Sequence, residues 1–523
     1  MKKFLSLLLA LLMIVSVCVG LVACNDPEDP GKTETPGDTT DKNDKNDKEE
    51  EDGEKKPVER IELKFPEDYN FSSNGTAASF HILQWSVDQE DQAGTAWIPW
   101  EEGDVSMDDG DLISKQILER NSLAEEQFGV EITAEYKGVN AGYVDRIKID
   151  YMTSGNEIQL LTIRSLGAWE LVDAEYLLDM NVYADQNILH TDQPWWVQDA
   201  VVSYTLGESL YVCATEMLLR DKGATTALYF NPTIAENYEL EDFYALVEEG
   251  TWTWDVMLEA AETVCASLDG DDLMNSVTDM WGVEGSDDDT HMLYNAFGFR
   301  YAHIDADGYV VYDLGETDES ITSLIEIHED YHYADWNTNR IDNKLIGNED
   351  IEGLFQIDKA LFKSASCVKT AVTKLRNMKT DYGILPMPKY TEEQENYSSL
   401  VWVHHDCVLG IPAGVLNPEM SAVILESLSW EGYYSVTPVL YDTILYGRAA
   451  KTAEAKRSLQ IIFSTRSYDP GQYWDKPAGL QDQLLRLCNS GNSDIQSLIA
   501  EWIGQTEEEI RKVNAFVEKK YDE

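Results

Sequence analysis

The stretch "DLISKQILERNSLAEEQFGVEITAEY", residues 111–136, decides how this chain folds. Its first part places Ile113, Ile117, Ala124 and Phe128 on one helical face, and Gly129 stops the helix. Its second part, "VEITAEY" (130–136), reads as a strand. Upstream, "SFHILQWSV" (79–87) is strand-like and is followed by a polar loop rich in Gly and Asp. Downstream, another helical stretch leads to the strand "IQLLTIR" (158–164). Strand and helix alternating at this spacing predict an α/β domain with a largely parallel sheet.

Working outward, "SLYVCATEMLLRDKGATTALYFN" (209–231) gives two extended runs around a short charged break. A second mixed region opens with "TWTWDVMLEAAETVCASL" (251–268). There Thr253 is placed to cap a helix whose apolar face holds Trp254, Met257, Leu258, Ala261 and Val264. "DADGYVVYD" (305–313) has a D-x-D-G string, but no further ligands at EF-hand spacing, so a turn and a strand are predicted. "KALFKSASC", "DYGILPMP" and "SLVWVHHDCVLGIP" are strand-like again, and from Pro418 onward the chain reads as mainly helical. No internal repeat is visible.

With 523 residues the chain has room for more than one core, and 43% hydrophobic and 10% aromatic content place its bulk among globular proteins. A formal charge of -58 excludes nucleic acid as a partner, because phosphate binding needs Lys and Arg to displace counterions. It also disfavours anionic lipid headgroups and strongly anionic ligands, while a neutral or cationic ligand fits.

Lys2 and Lys3 precede the apolar run Phe4 to Val22, the pattern of a secretory signal peptide. Its end, Leu21-Val22-Ala23-Cys24, resembles the lipobox of bacterial lipoproteins, which implies a signal peptide over 1–23 and diacylation of Cys24. Residues 25–59 hold 14 acidic residues and six lysines, with Val58 the only aliphatic side chain. Such a segment cannot build a core, and 24–75 is expected to be a lipid-anchored, disordered acidic tether. Cys213, Cys265, Cys367, Cys407 and Cys488 are scattered and odd in number, so free buried thiols are expected rather than a disulfide framework or a cysteine zinc site.

Four stretches in order carry a family resemblance: "ILERNSLAEEQFGVEI" (117–132), "LYFNPTIAENYELEDFYALVEEGTWTWDVMLEAAETV" (228–264), "DYGILPMPKYTEEQENYSS" (381–399) and "SAVILESLSWEGYYSVTPVLYD" (421–442). With the lipobox and tether, they resemble the carbohydrate-type family 1 of extracellular solute-binding lipoproteins that serve bacterial ABC importers. Asn231-Pro232 stands where that family often has Asn-Lys, and its Asp- and Gly-rich segment is degenerate here as "LDGDDLMNSVTDMWG" (268–282). The resemblance implies a two-lobed, type II periplasmic-binding-protein-like α/β fold, with hinge strands joining the lobes and a ligand cleft between them. Crossings are expected near 214–226 and 398–408. The expected division is 76–220 in lobe 1, 221–355 in lobe 2, 356–405 returning to lobe 1, and 406–523 mostly in lobe 2. A non-enzymatic monomer without a cofactor is implied, partnered by ABC permease subunits and anchored outside the cytoplasm.

A sugar cleft wants aromatic platforms together with polar hydrogen-bonding side chains, and the chain has 14 tryptophans and 27 tyrosines. In open α/β sheets ligands sit beyond the carboxyl ends of strands. That rule selects Trp85 and Asp88, Arg164 and Trp169, Glu216 near the first crossing, and Trp402 and His404 near the second. Tyr294 is a further candidate on the second lobe, while Trp254 is assigned to the core. His404-His405-Asp406 could suggest a metal, but adjacent strand residues point to opposite faces, so a structural or ligand-contact role is expected.

One motif pulls elsewhere. His328-Glu329-Asp330-Tyr331-His332 fits H-E-x-x-H, in which two histidines one turn apart bind zinc and the glutamate acts as general base. Over 318–336 a helix would put Ile321, Leu324, Ile325, His328 and His332 on one face. Glu326 and Asp330, however, put charge where a buried metal helix needs none, and Asp335 and Thr338 stand where the extended motif has Gly and a third His. The match is read as coincidence. No G-x-S-x-G, P-loop or G-x-G-x-x-G is present. The leading reading is a sugar-capturing binding protein. The alternatives are a secreted zinc peptidase using His328, Glu329 and His332, and a surface sensor or adhesion module of the same fold.

Overall fold

In the computed structural model the described residues are 60–65, 69–85, 112–137, 141–153, 157–270, 274, 278–314, 318–338, 353–364, 366–371, 374–441, 452–474 and 495–522. Strand β1 is Ala78–Trp85, and from Ile82 to its end every residue is buried, as a strand covered on both faces should be. Helix α1 (Leu112–Phe128) leads into β2 (Val130–Lys137), and α2 (Ala141–Thr153) into β3 (Leu160–Arg164). β2 and β3 flank β1 in parallel, which is the predicted βαβ arrangement. Gly129 takes φ +65° between α1 and β2, a conformation that favours glycine. The apolar face of α1 serves two cores: Ala124 and Phe128 pack with the first sheet, whereas Ile113 and Ile117 pack with Leu219, Val436 and Leu440.

Beyond α3 (Ala168–Asp173) the chain leaves this sheet through a first crossing that contains the short helix α4 (Arg220–Ala224). It then builds a second four-stranded sheet from β4 (Leu228–Phe230), β5 (Trp281–Glu284), β8 (Ala360–Lys363) and β9 (Gly383–Leu385), in the order β9-β4-β8-β5. β8 runs parallel to β5 and antiparallel to β4. Helix α5 (Trp254–Val264) buries Trp254, Met257, Ala261 and Val264 as its periodicity predicts. Thr253 occupies the N-cap position, but its side chain makes no capping bond. Between β6 (Ala302–Ile304) and β7 (Val310–Tyr312), Asp305 accepts from the backbone N–H of Asp307 and Tyr309, both at 2.9 Å, so the D-x-D-G string is a turn.

The return crossing is β10 (Ser399–Leu400), followed by β11 (Cys407–Gly410), which joins β3 antiparallel and completes the first sheet in the order β11-β3-β1-β2. A third pass, β12 (Arg466–Ser467), pairs parallel with β10. Cross-strand bridges Thr225–Val401 and Cys213–Leu409 lay the first two crossings side by side.

Three expected boundaries shift. Most of 356–405, expected to return to lobe 1, belongs to the second sheet, because β8 and β9 pair there with β4 and β5. Residues at the end of the expected tether belong to the folded body: Trp430 Nε1 donates to the Ile61 carbonyl at 2.8 Å, and the Phe71 N–H donates to the Phe128 carbonyl at 2.7 Å. Aromatic side chains at 65, 69 and 71 make this packing possible, and the acidic run before them has none. The segment 406–523 is shared between the lobes rather than mostly in the second. β11 and α8 (Pro418–Glu431), which packs on α1, belong with the first sheet, while α9 (Ala453–Ser464) packs on β9. The final helix α10 (Ile495–Asp522) lies against β7 and sends Phe516 onto Trp169. Residues 1–59, with the signal segment and Cys24, lie outside the described residues, as does Cys488. Cys213, Cys367 and Cys407 are buried free thiols and Cys265 is half-buried.

The first crossing passes so close to the end of α8 that a Cβ on Gly432 would lie 2.2 Å from the Glu216 carbonyl oxygen. Backbone cannot yield there as a flexible side chain would. Gly432→Ala is expected to cost about 1–3 kcal/mol of unfolding free energy, read from the urea midpoint, and an unchanged midpoint would refute the close approach.

Candidate functional site

The carboxyl ends of β1 and β3 and the amino end of β11 meet along one edge of the first sheet. Trp85 ends β1 and is 4% exposed. Arg164 ends β3, and its guanidinium carbon lies 5.5 Å from the Trp85 ring centroid. Arg220, carried into the same place by α4, lies 4.9 Å from that ring, so two guanidinium groups share one indole. Arg164 Nη2 is 3.1 Å from His404 Nδ1, and the His404 ring lies 4.9 Å from the Trp402 ring.

The second sheet reaches the same cluster. After β5 the chain turns through Gly285–Asp288 into α6 (Asp289–Ala296), and His291 of that helix lies 5.1 Å from Trp402. His291 Nδ1 is held 2.8 Å from the Tyr301 hydroxyl. Trp402 is thus fully buried between a histidine from each side of the crossing.

Burial and neighbouring charges shift the groups of this cluster. Burial lowers the pKa of Arg164, with Cys407 opposing. His405 is pushed down to about 2 by burial first, and then by Lys369, His404, Arg220 and Arg164. Asp406 accepts from Ser165 Oγ at 2.8 Å, and its charge acts on Tyr204, Tyr468 and Tyr473. Beyond β5, burial together with Asp287 and Asp289 raises Asp288 to about 7. Burial first, with Asp288 opposed by Lys369, raises the pKa of the Cys367 thiol to about 12.

No family model matches the sequence, and no curated protein matches it. Solved structures do match the fold. A sugar transporter of Rhizobium etli in an open conformation superimposes with TM-score 0.56 and 12% identity, over 82% of this chain and 99% of that one. The chain has the two-lobed periplasmic-binding-protein fold. Two others are RafE of Streptococcus pneumoniae in its apo form (TM-score 0.49, 12% identity, 85% of this chain and 100% of that one) and an ABC substrate-binding protein of Listeria monocytogenes in complex with cycloalternan (0.48, 9%, 85% and 99%). The fold assignment rests on the first of the three.

In the two-lobed fold, the structure brings together Trp85, Arg164, Trp402 and His404 of the residues predicted from sequence. Asp88 lies outside the described residues. Trp169 sits in α3, edge-on to Trp474 at 5.9 Å and Phe516 at 5.7 Å, a packing role. Tyr294 is fully buried and stacked on Tyr301 with centroids 4.8 Å apart. Glu216 is enclosed in an ion network at the crossing: Lys222 Nζ lies 3.0 Å from its carboxylate, and Thr437 Oγ1 donates to it at 2.6 Å. Sequence reasoning did not select Arg220, Lys369 or Asp288, and it noted His405 only within His404-His405-Asp406. The signal available for Arg220 was the charged break between two extended runs, a place where apolar residues would suffice for a plain crossing.

The H-E-x-x-H residues belong to a different environment. α7 (Asp318–Glu326) widens into a π-helical turn over Ile327–His332. His332 is fully buried, with Nε2 2.9 Å from Thr290 Oγ1, and burial followed by the neighbouring His328 pushes it down to about 3. His328 is buried edge-on against Tyr333, while Glu329 and Asp330 face solvent. A catalytic zinc needs ligands around an open coordination position. Among the described residues, no three His, Cys, Asp or Glu side chains come together to hold a metal.

Proposed function

We propose that this chain is an extracytoplasmic solute-binding protein that captures a sugar or oligosaccharide for an ABC importer. The observation that carries the reading is the pairing of Trp85 and Trp402 with Arg164 and His404 where the strand ends of the first sheet meet a helix of the second. Aromatic, cationic and imidazole side chains gathered at strand ends are the residue types that meet sugar rings, hydroxyls and ring oxygens. Ligand would bind with the lobes apart and favour closure, because only the closed form lets both lobes touch it. A protein of like fold is a sugar transporter, which supports the choice of carbohydrate.

The lipobox-like Leu21–Cys24 and the acidic run after it support anchoring through a diacylated Cys24, with the body held outside the cytoplasm beside its permease. No step of covalent chemistry is part of this function; the expected behaviour is reversible binding without turnover.

Thermal denaturation of the purified chain with mono- and oligosaccharides, and with zinc or EDTA, tests the reading. A glycan at 100 times its dissociation constant stabilises by about 2.7 kcal/mol, and the melt is indifferent to EDTA. A melt that collapses in EDTA and recovers with zinc would return His328 and His332 to the centre.

A further inference from the structure

The chain between α6 and α7 leaves the second lobe and lies on the first. Both of its roots are fixed in the second lobe. Phe297 packs edge-on to Trp254 of α5 with ring centroids 5.2 Å apart, and beyond α7 the Tyr331 hydroxyl donates to Asp289 at 2.8 Å. Between the roots, β6 and β7 pair antiparallel to make an arm with Gly308 near its tip. Along its length this arm is bonded to the first lobe and to the segment after β12. Arg300 pairs with Asp199 of the helix Gln198–Tyr204 at 3.1 Å. The backbone N–H groups of Tyr301 and Ala302 donate to the buried Asp469 at 2.8 and 3.3 Å, and Ser203 of the same helix donates to the Tyr468 carbonyl at 2.9 Å. At the tip, the Gly207 N–H of the Thr205–Leu210 hairpin donates to the Gly308 carbonyl at 2.8 Å. Both glycines have positive φ, and a Cβ on Gly308 would collide with the Gly207 backbone, so the two turns meet main chain to main chain.

Helix α10 closes over this junction. The Asn514 side chain accepts from the Val310 N–H and donates to the Val310 carbonyl, both at 2.9 Å, pairing with β7 as a neighbouring strand would. Tyr521 donates to the Asp307 carbonyl at 3.0 Å. The same helix grips the first lobe: Phe516 packs edge-on to Trp169 and Tyr211, and Lys519 pairs with Glu175 at 2.9 Å. Lobes of this kind turn as near-rigid bodies about a few hinge residues. An arm rooted in one lobe and bonded to the other resists such turning, because its bonds must stretch or break as the angle changes.

We propose that the arm and α10 form a clasp that holds the lobes at the angle seen here and sets the free energy of moving them. Its action does not depend on which solute the cleft takes. Pulsed electron resonance on the full chain tests it. Spin labels go at the exposed positions Ile149 on α2 and Ile357 just before β8, coupled through non-natural keto side chains so that the cysteines stay unlabelled. The unaltered protein should give one narrow distance. Arg300→Ala combined with Asn514→Ala, and separately Gly308→Ala, should widen the distribution about two-fold or add a second distance, with the near-ultraviolet circular dichroism unchanged. Arg300→Lys, which keeps the ion pair, should leave it narrow. An unchanged distribution in the alanine variants, or a broad one in the unaltered protein, overturns the clasp. If the variants fail to fold, hydrogen exchange of the unaltered protein decides: protection of the Gly207 and Val310 amides upholds the clasp, and fast exchange at either overturns it.

Discussion

Lys222→Met lowers the unfolding free energy by about 3–5 kcal/mol, the cost of stranding a buried charge. Lys222 is fully buried, with Nζ 3.0 Å from Glu216 and 3.2 Å from Asp221. Arg466 pairs with the same Asp221, and its other terminal nitrogen lies 3.7 Å from Glu216. Two cations and two carboxylates therefore balance inside the crossing, and Tyr468 and Thr437 add hydroxyl donors. Burial alone would lower the pKa of Lys222; Asp221 and Glu216 overcome it and leave it raised, so the ammonium is charged in the folded protein. Removing it leaves two carboxylates facing one guanidinium. Urea denaturation measures the loss, and Glu216→Gln added to Lys222→Met should recover part of it, because charge balance is restored. A single variant costing less than about 1 kcal/mol would mean that the network contributes little.

A second large effect appears on acidification. His332 is held neutral down to about 3 in the folded protein, by burial first and by His328 second, whereas in the unfolded chain it protonates near 6.5. The unfolded state thus binds the extra proton, and stability falls as pH falls from 6.5 towards 3. The slope approaches about 1.4 kcal/mol per pH unit below pH 6, which makes about 2.3 kcal/mol between pH 6.5 and 4.5. Asp288 and Asp469, raised to about 7 and about 6, act in the opposite sense. The informative quantity is therefore the difference between the unaltered protein and His332→Gln at each pH. The variant should show the shallower decline in urea midpoint, and identical slopes would show that His332 takes up its proton while folded.

The parts of this molecule legible in sequence are those set by short-range periodicity. Ile113, Ile117, Ala124 and Phe128 announce α1, Gly129 its end, and Val130–Tyr136 the strand after it. Trp85, Arg164, Trp402 and His404 were reachable because they stand at or beside strand ends, where chemistry gathers in open sheets. Trp169 and Tyr294 obey the same local rules, but their surroundings come from Trp474, Phe516 and Tyr301, and no local pattern reports a contact made across so much chain. Glu216 shows a different limit: a carboxylate near a crossing looks the same whether it meets a sugar or Lys222. The H-E-x-x-H string is legible but ambiguous, since the burial that leaves His332 neutral and packed against Thr290 depends on β5, α6 and the π-turn together.

The placement of β11 beside β3 has a consequence for how the chain acquires its structure. Ser165 and Asp406, which tie those strands together, are 241 residues apart in sequence, and Phe516 closes over Trp169 later still. Until most of the polypeptide is available, β3 keeps an open edge and Trp169 an uncovered face. Contacts that close such long loops form slowly, and the exposed strand edge is open to intermolecular pairing meanwhile. The second sheet, assembled from 228–385, can form within a continuous stretch of chain before the first sheet is complete. Refolding should therefore proceed in two stages, with the second sheet protected from hydrogen exchange ahead of β1–β3, and chains truncated before residue 407 should aggregate through the first sheet.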